Sequence, residues 1–532
     1  MPSEPHTMSG LSRLVAAAAF AASLSVSSAW ADPNVLVSGD PLPPSLDPHQ
    51  LYDVTMQTYM LNTYDTLYRY EGNPPVLQAW LAESNQVSAD GLTWRFKLRT
   101  GVTFHDGSPL TADDVVYSFR RVLTLGKAPA GALKPILKPE NVTAPDATTV
   151  QLVIDKPYAP LLSTMPIVAI VNSKLLQAHT VNDDWGSAWL ASQEAGSGSY
   201  SLDAATYVPQ ERIDMRRFDK HFLGWSENPG APKEVRFRPT KETSTRVLAL
   251  LNHSIDETDG YLPTDQVERI EKADGTHIEK NVSMAVFLIR MNNSKPPFNN
   301  VDFRKCLSYA FNYDGFIHDI LKDFAARDPT PMPINLWGYP KGIAGYKYDM
   351  AAARSACDKA RAAGAPVDRE LEIHVPAQLE QTTQAAQLFQ SDLATLGLRT
   401  RIVTEPWAQL TGSTAKAEGS PDMWVHWVST YFVDPENWIG QMYDSQFAGT
   451  WKASSWYRSD KVDGLLRKAR ETTDQAQRKQ MYEDATTQIV DDAVDIWINN
   501  TMELRGVSNR VQGFRFSPVG GGTEMRWVRL AN

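Results

Sequence analysis

The sequence predicts an α/β protein of two lobes joined by crossing segments, and three observations carry that prediction. Leu92, Trp94, Phe96 and Leu98 alternate with Thr93, Arg95, Lys97 and Arg99, the period of a strand with one buried face, and a capped helix follows at once. Residues 371–375, 384–396 and 398–403 read as strand, helix and strand, a βαβ unit that calls for a parallel sheet covered by helices. Residues 284–291 contain the continuous apolar run AVFLIRM, where a first crossing into the second lobe is placed.

Element by element, the first unit continues through a turn at His105-Asp106-Gly107. Thr111 then stands three residues before Asp114, a pair able to open a helix carrying Val115, Val116 and Phe119. Residues 149–154 are strand-like, with a turn at Lys156-Pro157. The glycine-rich stretch 196–200 leads into another strand, 234–239 alternates again, and 242–251 is helical with Val247, Leu248 and Leu251 on one face. The second lobe opens with a helix over 301–311, started by Asn299 or Asn300, whose buried face is Phe303, Cys306, Leu307, Ala310 and Phe311. Gly397 stops the helix over 384–396. Residues 422–432 form a strand or a strand and loop, 461–491 are strongly helical, and the chain returns to the first lobe through 494–498 and Arg505.

Composition narrows the function classes. The 532 residues, 42% of them hydrophobic, suffice for a large core, and the net charge of −10 without any Lys or Arg run argues against nucleic acid and anionic membranes as partners. Arg13, the apolar run 14–26 and Ala29-Trp30-Ala31 read as a secretory signal cleaved before Asp32. The run is too short for a comfortable membrane span, and no cysteine near the cleavage site offers lipid attachment. Cys306 and Cys357 are the two cysteines; export permits a disulfide, but the position of Cys306 on an apolar helix face makes buried free thiols the plainer expectation.

The segment 90–119, DGLTWRFKLRTGVTFHDGSPLTADDVVYSF, resembles the extracytoplasmic solute-binding proteins of peptide-type ABC importers, family 5, which include dipeptide-, oligopeptide- and nickel-binding proteins. Leu81-Ala82-Glu83-Ser84 precedes it at the family's distance. Further similarity lies in Ser45-Leu46-Asp47-Pro48, in Gly196-Ser197-Gly198-Ser199-Tyr200, in residues 292–314 and in Asp434-Pro435-Glu436-Asn437-Trp438. The resemblance implies a type II periplasmic binding protein fold with an extra subdomain in the first lobe. Its expected limits are 1–31 for the signal peptide, 32–285 plus 505–532 for lobe I with the subdomain at roughly 51–194, and 286–504 for lobe II. It further implies a monomeric periplasmic protein that captures a peptide or peptide-like solute between its lobes and delivers it to an inner-membrane ABC permease, with no cofactor and no metal. A non-peptide solute (an opine-like conjugate, an oligosaccharide or a metal chelate) and presentation of ligand to a chemosensor stand as alternatives.

Ligand between two lobes touches both and stabilises the closed form, so site residues are sought facing the cleft. Residues 423–437, MWVHWVSTYFVDPEN, resemble the region where dipeptide and oligopeptide binders carry W-x-x-D, the Asp holding the ligand's ammonium. Trp427 matches the Trp. Three residues onward stands Thr430, and three before Asp434 stands Tyr431, so neither alignment supplies the acid. Either another acid takes over or the solute lacks that ammonium, since a buried ammonium without a carboxylate is costly; with Thr430 or Tyr431 in that place, free-amine dipeptides are expected to bind poorly and a neutral or blocked solute, such as a conjugated amino acid or a sugar-like compound, to be preferred. Asp434 has a sufficient role in the Asp-Pro turn, with ligand contact as the competing role. Trp407 resembles the family tryptophan of a side-chain pocket; Trp424 and Trp427, three apart on a strand, face opposite sides. Leu46 and Ser197 complete the candidates, against loop packing and a hinge turn.

An enzyme is disfavoured. The chain contains no G-x-S-x-G, H-E-x-x-H, G-x-G-x-x-G or C-x-x-C. Its ten histidines are scattered; His105 reads as a surface or turn residue and His426 as a packed strand residue.

Overall fold

The computed structural model describes residues 32–51, 54–377 and 379–531, so the expected signal peptide lies outside the described residues. The strand anticipated from the alternating pattern is Thr93–Leu98, with Phe96 and Leu98 buried and Arg95 and Lys97 exposed. It lies inside a four-stranded antiparallel sheet ordered Ala82–Val87, Thr93–Leu98, Thr149–Val153, Val142–Asp146. The helix Ala112–Leu125 starts as its sequence predicts: the Thr111 N–H and hydroxyl donate to Asp114 Oδ2 at 2.9 and 3.1 Å. The other Asp114 oxygen accepts from the N–H and hydroxyl of Ser173, which fixes this helix to the helix Ser173–Ala178.

A second four-stranded sheet is ordered Val35–Ser38, Glu234–Phe237, Arg212–Arg217, Tyr200–Val208, its first pair parallel and the others antiparallel. The third sheet has six strands, ordered Ala325–Arg327, Asp495–Ser508, Thr276–Met291, Met423–Val428, Leu371–Pro376, Thr400–Glu405. The expected βαβ unit is present, its strands Leu371–Pro376 and Thr400–Glu405 parallel and the helix Glu380–Thr395 between them. The sheet as a whole is mixed, because the two longest strands, Thr276–Met291 and Asp495–Ser508, pair antiparallel from Thr276 opposite Ser508 to Arg290 opposite Asp495. Separate apolar clusters fill the interior, one around Phe96, Phe119 and Tyr200, another around Phe303, Phe311 and Phe389, a third around Leu288, Trp438 and Tyr482.

Three expectations are corrected. The helical stretch 461–491 is two helices, Asp460–Glu471 and Gln475–Asp491, because the Asp474 side chain accepts from Gln477 N–H and starts a new helix. The cysteines are joined: Cys306 and Cys357 sit on adjacent helices with Cα atoms 5.1 Å apart and form a disulfide. The apolar face that places Cys306 in the core also turns it toward Cys357, a pairing in space that spacing along the chain does not encode. With the two cysteines 51 positions apart in the chain, the loop-entropy relation puts the stabilisation at about 4 kcal/mol. The double variant Cys306→Ala/Cys357→Ala is expected to lose about 2–4 kcal/mol in urea denaturation, and the oxidised protein to lose the same amount on reduction.

His105 stands in the expected turn, but it is not a surface residue, which is the third correction. It is buried, with Nδ1 2.7 Å from Glu194 Oε1 and Nε2 2.9 Å from the Gly198 carbonyl. Burial disfavours its charge, but the Glu194 carboxylate and the Gly198 carbonyl outweigh that and hold the imidazole above its usual range. A base with a raised folded-state value adds stability that is complete below the unfolded value and is lost as pH rises through the folded one. The stability advantage over His105→Gln is therefore expected to be largest in acid and to shrink on the alkaline side of the ordinary imidazole range, read from chemical denaturation at a series of pH values.

Candidate functional site

A cavity of about 1650 Å³ opens where the crossing strands meet the loops of the second and third sheets. Thr501, Met502 and Leu504 of the strand Asp495–Ser508 line its inner end, beside Trp427. One wall comes from Gly39, Pro41, Leu42 and Pro44, which follow the strand Val35–Ser38, and from residues 259–271, including the helix Thr264–Glu271. The opposite wall carries Pro376, Ala377 and the start of the helix Glu380–Thr395, with Gln381, Gln384 and Gln387, then Trp407 and residues 319–322. Gly260 is on this lining and lies against the Glu503 side chain, which would have to shift to admit a Cβ there.

Behind the inner end is a buried ionic cluster. Arg505 bonds Asp40 at 2.9 Å and the Thr258 carbonyl at 2.9 Å, with Glu503 at 3.4 Å and Glu257 at 3.6 Å. One guanidinium thus serves three buried carboxylates, and burial pushes Glu257 and Glu503 up to about 7 each. At the surface of the cavity Asp259 pairs with Arg246 at 3.2 Å. The lining carries the acids Asp259, Asp265, Glu268, Glu271, Asp319 and Glu380 against the bases Lys241, Arg246 and Lys322, so its balance is negative. Among the described residues no group of His, Cys, Asp and Glu is arranged to hold a metal ion.

Of the residues singled out from sequence, Trp407 and Trp427 stand on this lining. Trp407 begins the helix Trp407–Ser413, is 42% exposed, and packs its ring against those of Trp424 and Trp451. Trp427 donates its indole N–H to Thr501 Oγ1 at 3.0 Å and lies against Phe287. Trp424 faces the other side, buried and stacked on His426. His426 is a packed strand residue: burial, then the nearby Arg290, holds it well below the usual imidazole range.

The structure places the other five away from the lining. Leu46 is buried in the core with its N–H on the Ala191 carbonyl, and Ser197 donates to Asp65 Oδ2 at 2.8 Å. Thr430 donates to the Met284 carbonyl at 3.3 Å, while Tyr431 packs against the core with the Lys452 ammonium 4.3 Å from its ring centre. Asp434 receives Arg478 Nη2 at 2.8 and 2.9 Å and the Glu436 N–H at 3.0 Å. Its carboxylate is committed to a buried ion pair at the start of the turn, the structural role open to it from sequence. Asp434→Ala is accordingly expected to cost about 3–5 kcal/mol in urea denaturation by leaving Arg478 unpaired; a residue serving only a ligand leaves the free protein's stability unchanged.

The profile of the family described as bacterial extracellular solute-binding proteins, family 5, matches residues 76–450. The chain belongs to that family. A probable D,D-dipeptide-binding periplasmic protein of Escherichia coli is 30% identical over 484 residues, covering 90% of each chain. A glutathione-binding protein of Pectobacterium atrosepticum is 25% identical over 522 residues, 95% of this chain and 96% of its own. A dipeptide-binding protein from a Pseudoalteromonas species, solved with Met-Leu, superposes with a TM-score of 0.82 over 93% of this chain and 100% of its own, at 19% identity, which shows the shared fold. Members of family 5 are binding proteins, and the two-lobed fold expected from sequence is the fold these structures share.

Sequence reasoning missed most of the lining. Gln381, Gln384 and Gln387 sit at helical spacing and read as an ordinary wet face, since a cleft wall and a solvent face have the same polarity pattern. Gly39, Gly260 and Met502 carry no spacing signal at all; their place follows from the crossing strands.

Proposed function

We propose that this family 5 protein is the periplasmic receptor of an ABC importer that captures a peptide or peptide-like solute bearing a free amino group and hands it to an inner-membrane permease. The observation that carries the reading is the composition of the cavity, where indole and phenol rings of Trp407, Trp427 and Tyr261 stand among an excess of carboxylates. Rings accept apolar side chains, amide-bearing Gln side chains match a peptide backbone, and carboxylates attract an ammonium. The acid missing from positions 430 and 431 thus has substitutes elsewhere on the wall. The glutathione- and dipeptide-binding relatives support the same solute class.

The proposed lobes are 32–285 with 505–532 and 286–504, a subdomain near 51–194 being inserted in the first, and the protein acts as a monomer released by signal cleavage before Asp32. No helix among the described residues is long and apolar enough to cross a membrane. Closure about the paired crossing strands brings the two walls together on the solute. Calorimetric titration with Met-Leu, D-alanyl-D-alanine, glutathione and their N-acetylated forms tests the reading. Binding of at least one free-amine peptide is expected, weakened about tenfold or more by acetylation, the loss of a charge pair of about 1–3 kcal/mol. Failure of every free-amine peptide, with an amine-free solute retained by protein purified from periplasm, overturns it in favour of the conjugate, sugar or chelate binders.

A further inference from the structure

The strand Thr276–Met291 changes neighbours partway along. In its first part Thr276 Oγ1 donates to the Ile270 carbonyl at 2.9 Å and Lys280 Nζ lies 2.6 Å from Glu271 Oε1, both partners belonging to the helix Thr264–Glu271 of one cavity wall. In its last part, Val286 to Met291 pair with the strand Met423–Val428, which carries Trp427. Between the two the register breaks: Val282 stands opposite Met502 and Val286 opposite Asn500, so residues 283–285 face Thr501 alone. A bulge of this kind bends its strand.

Side chains hold the backbone of the bulge. The Val282 carbonyl accepts from Asn73 Nδ2 at 3.0 Å, the Ser283 carbonyl from Asn500 Nδ2 at 2.8 Å and the Met284 carbonyl from Thr430 Oγ1 at 3.3 Å. The Ala285 N–H donates to Ser283 Oγ at 3.1 Å, and that hydroxyl donates to the Thr501 carbonyl at 2.7 Å. Backbone groups withdrawn from a ladder need other partners, and a side chain that supplies one rotates with the bending strand where a ladder bond breaks. Thr501 joins this arrangement to the cavity: its carbonyl takes the Ser283 hydroxyl, and its own hydroxyl accepts the Trp427 indole N–H at 3.0 Å. Both Thr501 and Trp427 line the cavity, while Thr430, sought on that wall from sequence, holds the bulge instead.

We propose that residues 283–285 are the bending point between the two proposed lobes and that Thr501 is a positioning residue that ties the Trp427 ring to that point. The ring is held by both crossing strands, by Thr501 on one and by Phe287, just beyond the bulge, on the other. A change of bend at Ser283 moves the Thr501 main chain, and the Thr501 hydroxyl carries the indole with it, so the aromatic floor of the cavity follows the angle between the walls. The coupling stands on these hydrogen bonds; its effect on solute affinity rests on the cavity being the binding site.

The test needs no solute, so its failure is separate from the failure of any solute to bind. The full chain is isotope-labelled at its tryptophan indole nitrogens, and the Trp427 resonance is identified in NMR spectra by its absence from Trp427→Phe. In Thr501→Val, which keeps the shape and removes the acceptor, the Trp427 indole proton is expected to move upfield and to exchange with solvent several-fold faster. Thr501→Ser, which keeps a hydroxyl, is expected to leave both as in the unaltered protein. Ser283→Ala leaves the Thr501 hydroxyl in place, yet it is expected to shift the same resonance and to speed its exchange, with the indoles of Trp94 and Trp189 unmoved as the sign that the fold is kept. Thr430→Val, which frees the Met284 carbonyl, carries the same expectation and replaces Ser283→Ala if that variant does not fold. A Trp427 resonance unchanged in Thr501→Val overturns the positioning role. One unchanged in Ser283→Ala, or in Thr430→Val where that variant replaces it, overturns the link to the bulge.

Discussion

The antiparallel pairing of Thr276–Met291 with Asp495–Ser508 is the constraint on which the rest of the molecule depends. These two strands are the spine of the six-stranded sheet, and the second of them supplies the inner end of the cavity and carries Arg505. Their register is interrupted between Val282 and Val286 and again between Phe287 and Leu288. Extra residues at such points bend a ribbon and strengthen its twist, so a long pair can serve two differently oriented packing surfaces without losing its hydrogen bonds elsewhere. Strand segments on one side of the interruption meet the helices Thr243–Leu251 and Thr264–Glu271; segments on the other meet Met423–Val428.

Charge is distributed on the same plan. Arg505, Asp40, Glu257 and Glu503 are withdrawn from water just behind the cavity, and an unshared arrangement of three carboxylates with one guanidinium is tolerable only because burial raises the proton affinity of Glu257 and Glu503. The ionic pairs at the far side, Arg478 with Asp434 and Arg470 with Glu436 and Asp444, are by contrast matched one-to-one or nearly so. They lock the turn after the strand Met423–Val428 to the helices Asp460–Glu471 and Gln475–Asp491. Of the acids on the lining, Asp259 pairs with Arg246, Glu268 with Lys272 and Glu271 with Lys280.

Aromatic side chains divide between these tasks. Trp424 and Trp427 belong to one strand and point to opposite faces, so the same six residues supply a core ring and a cavity ring. Trp407 bridges the two roles, since its ring touches Trp424 while its other surface is open.

The sequence by itself determined the local structure and the family. The strand Thr93–Leu98, the Thr111–Asp114 helix start, the Asn300 cap and the βαβ unit all follow from periodicity and capping chemistry, which act over a few residues and survive in any context. Opposite facing of Trp424 and Trp427 followed from the two-residue period of a strand. Contacts between distant segments were decided by the tertiary structure alone. Cys306 meets Cys357, His105 meets Glu194, and Asp434 meets Arg478 only after folding, and each meeting reversed or resolved a reading that residue type left open. The cavity is of the same kind: Gly39, Tyr261, Gln384 and Met502 are far apart in the chain and share no pattern, and what makes them one surface is the geometry of two crossing strands.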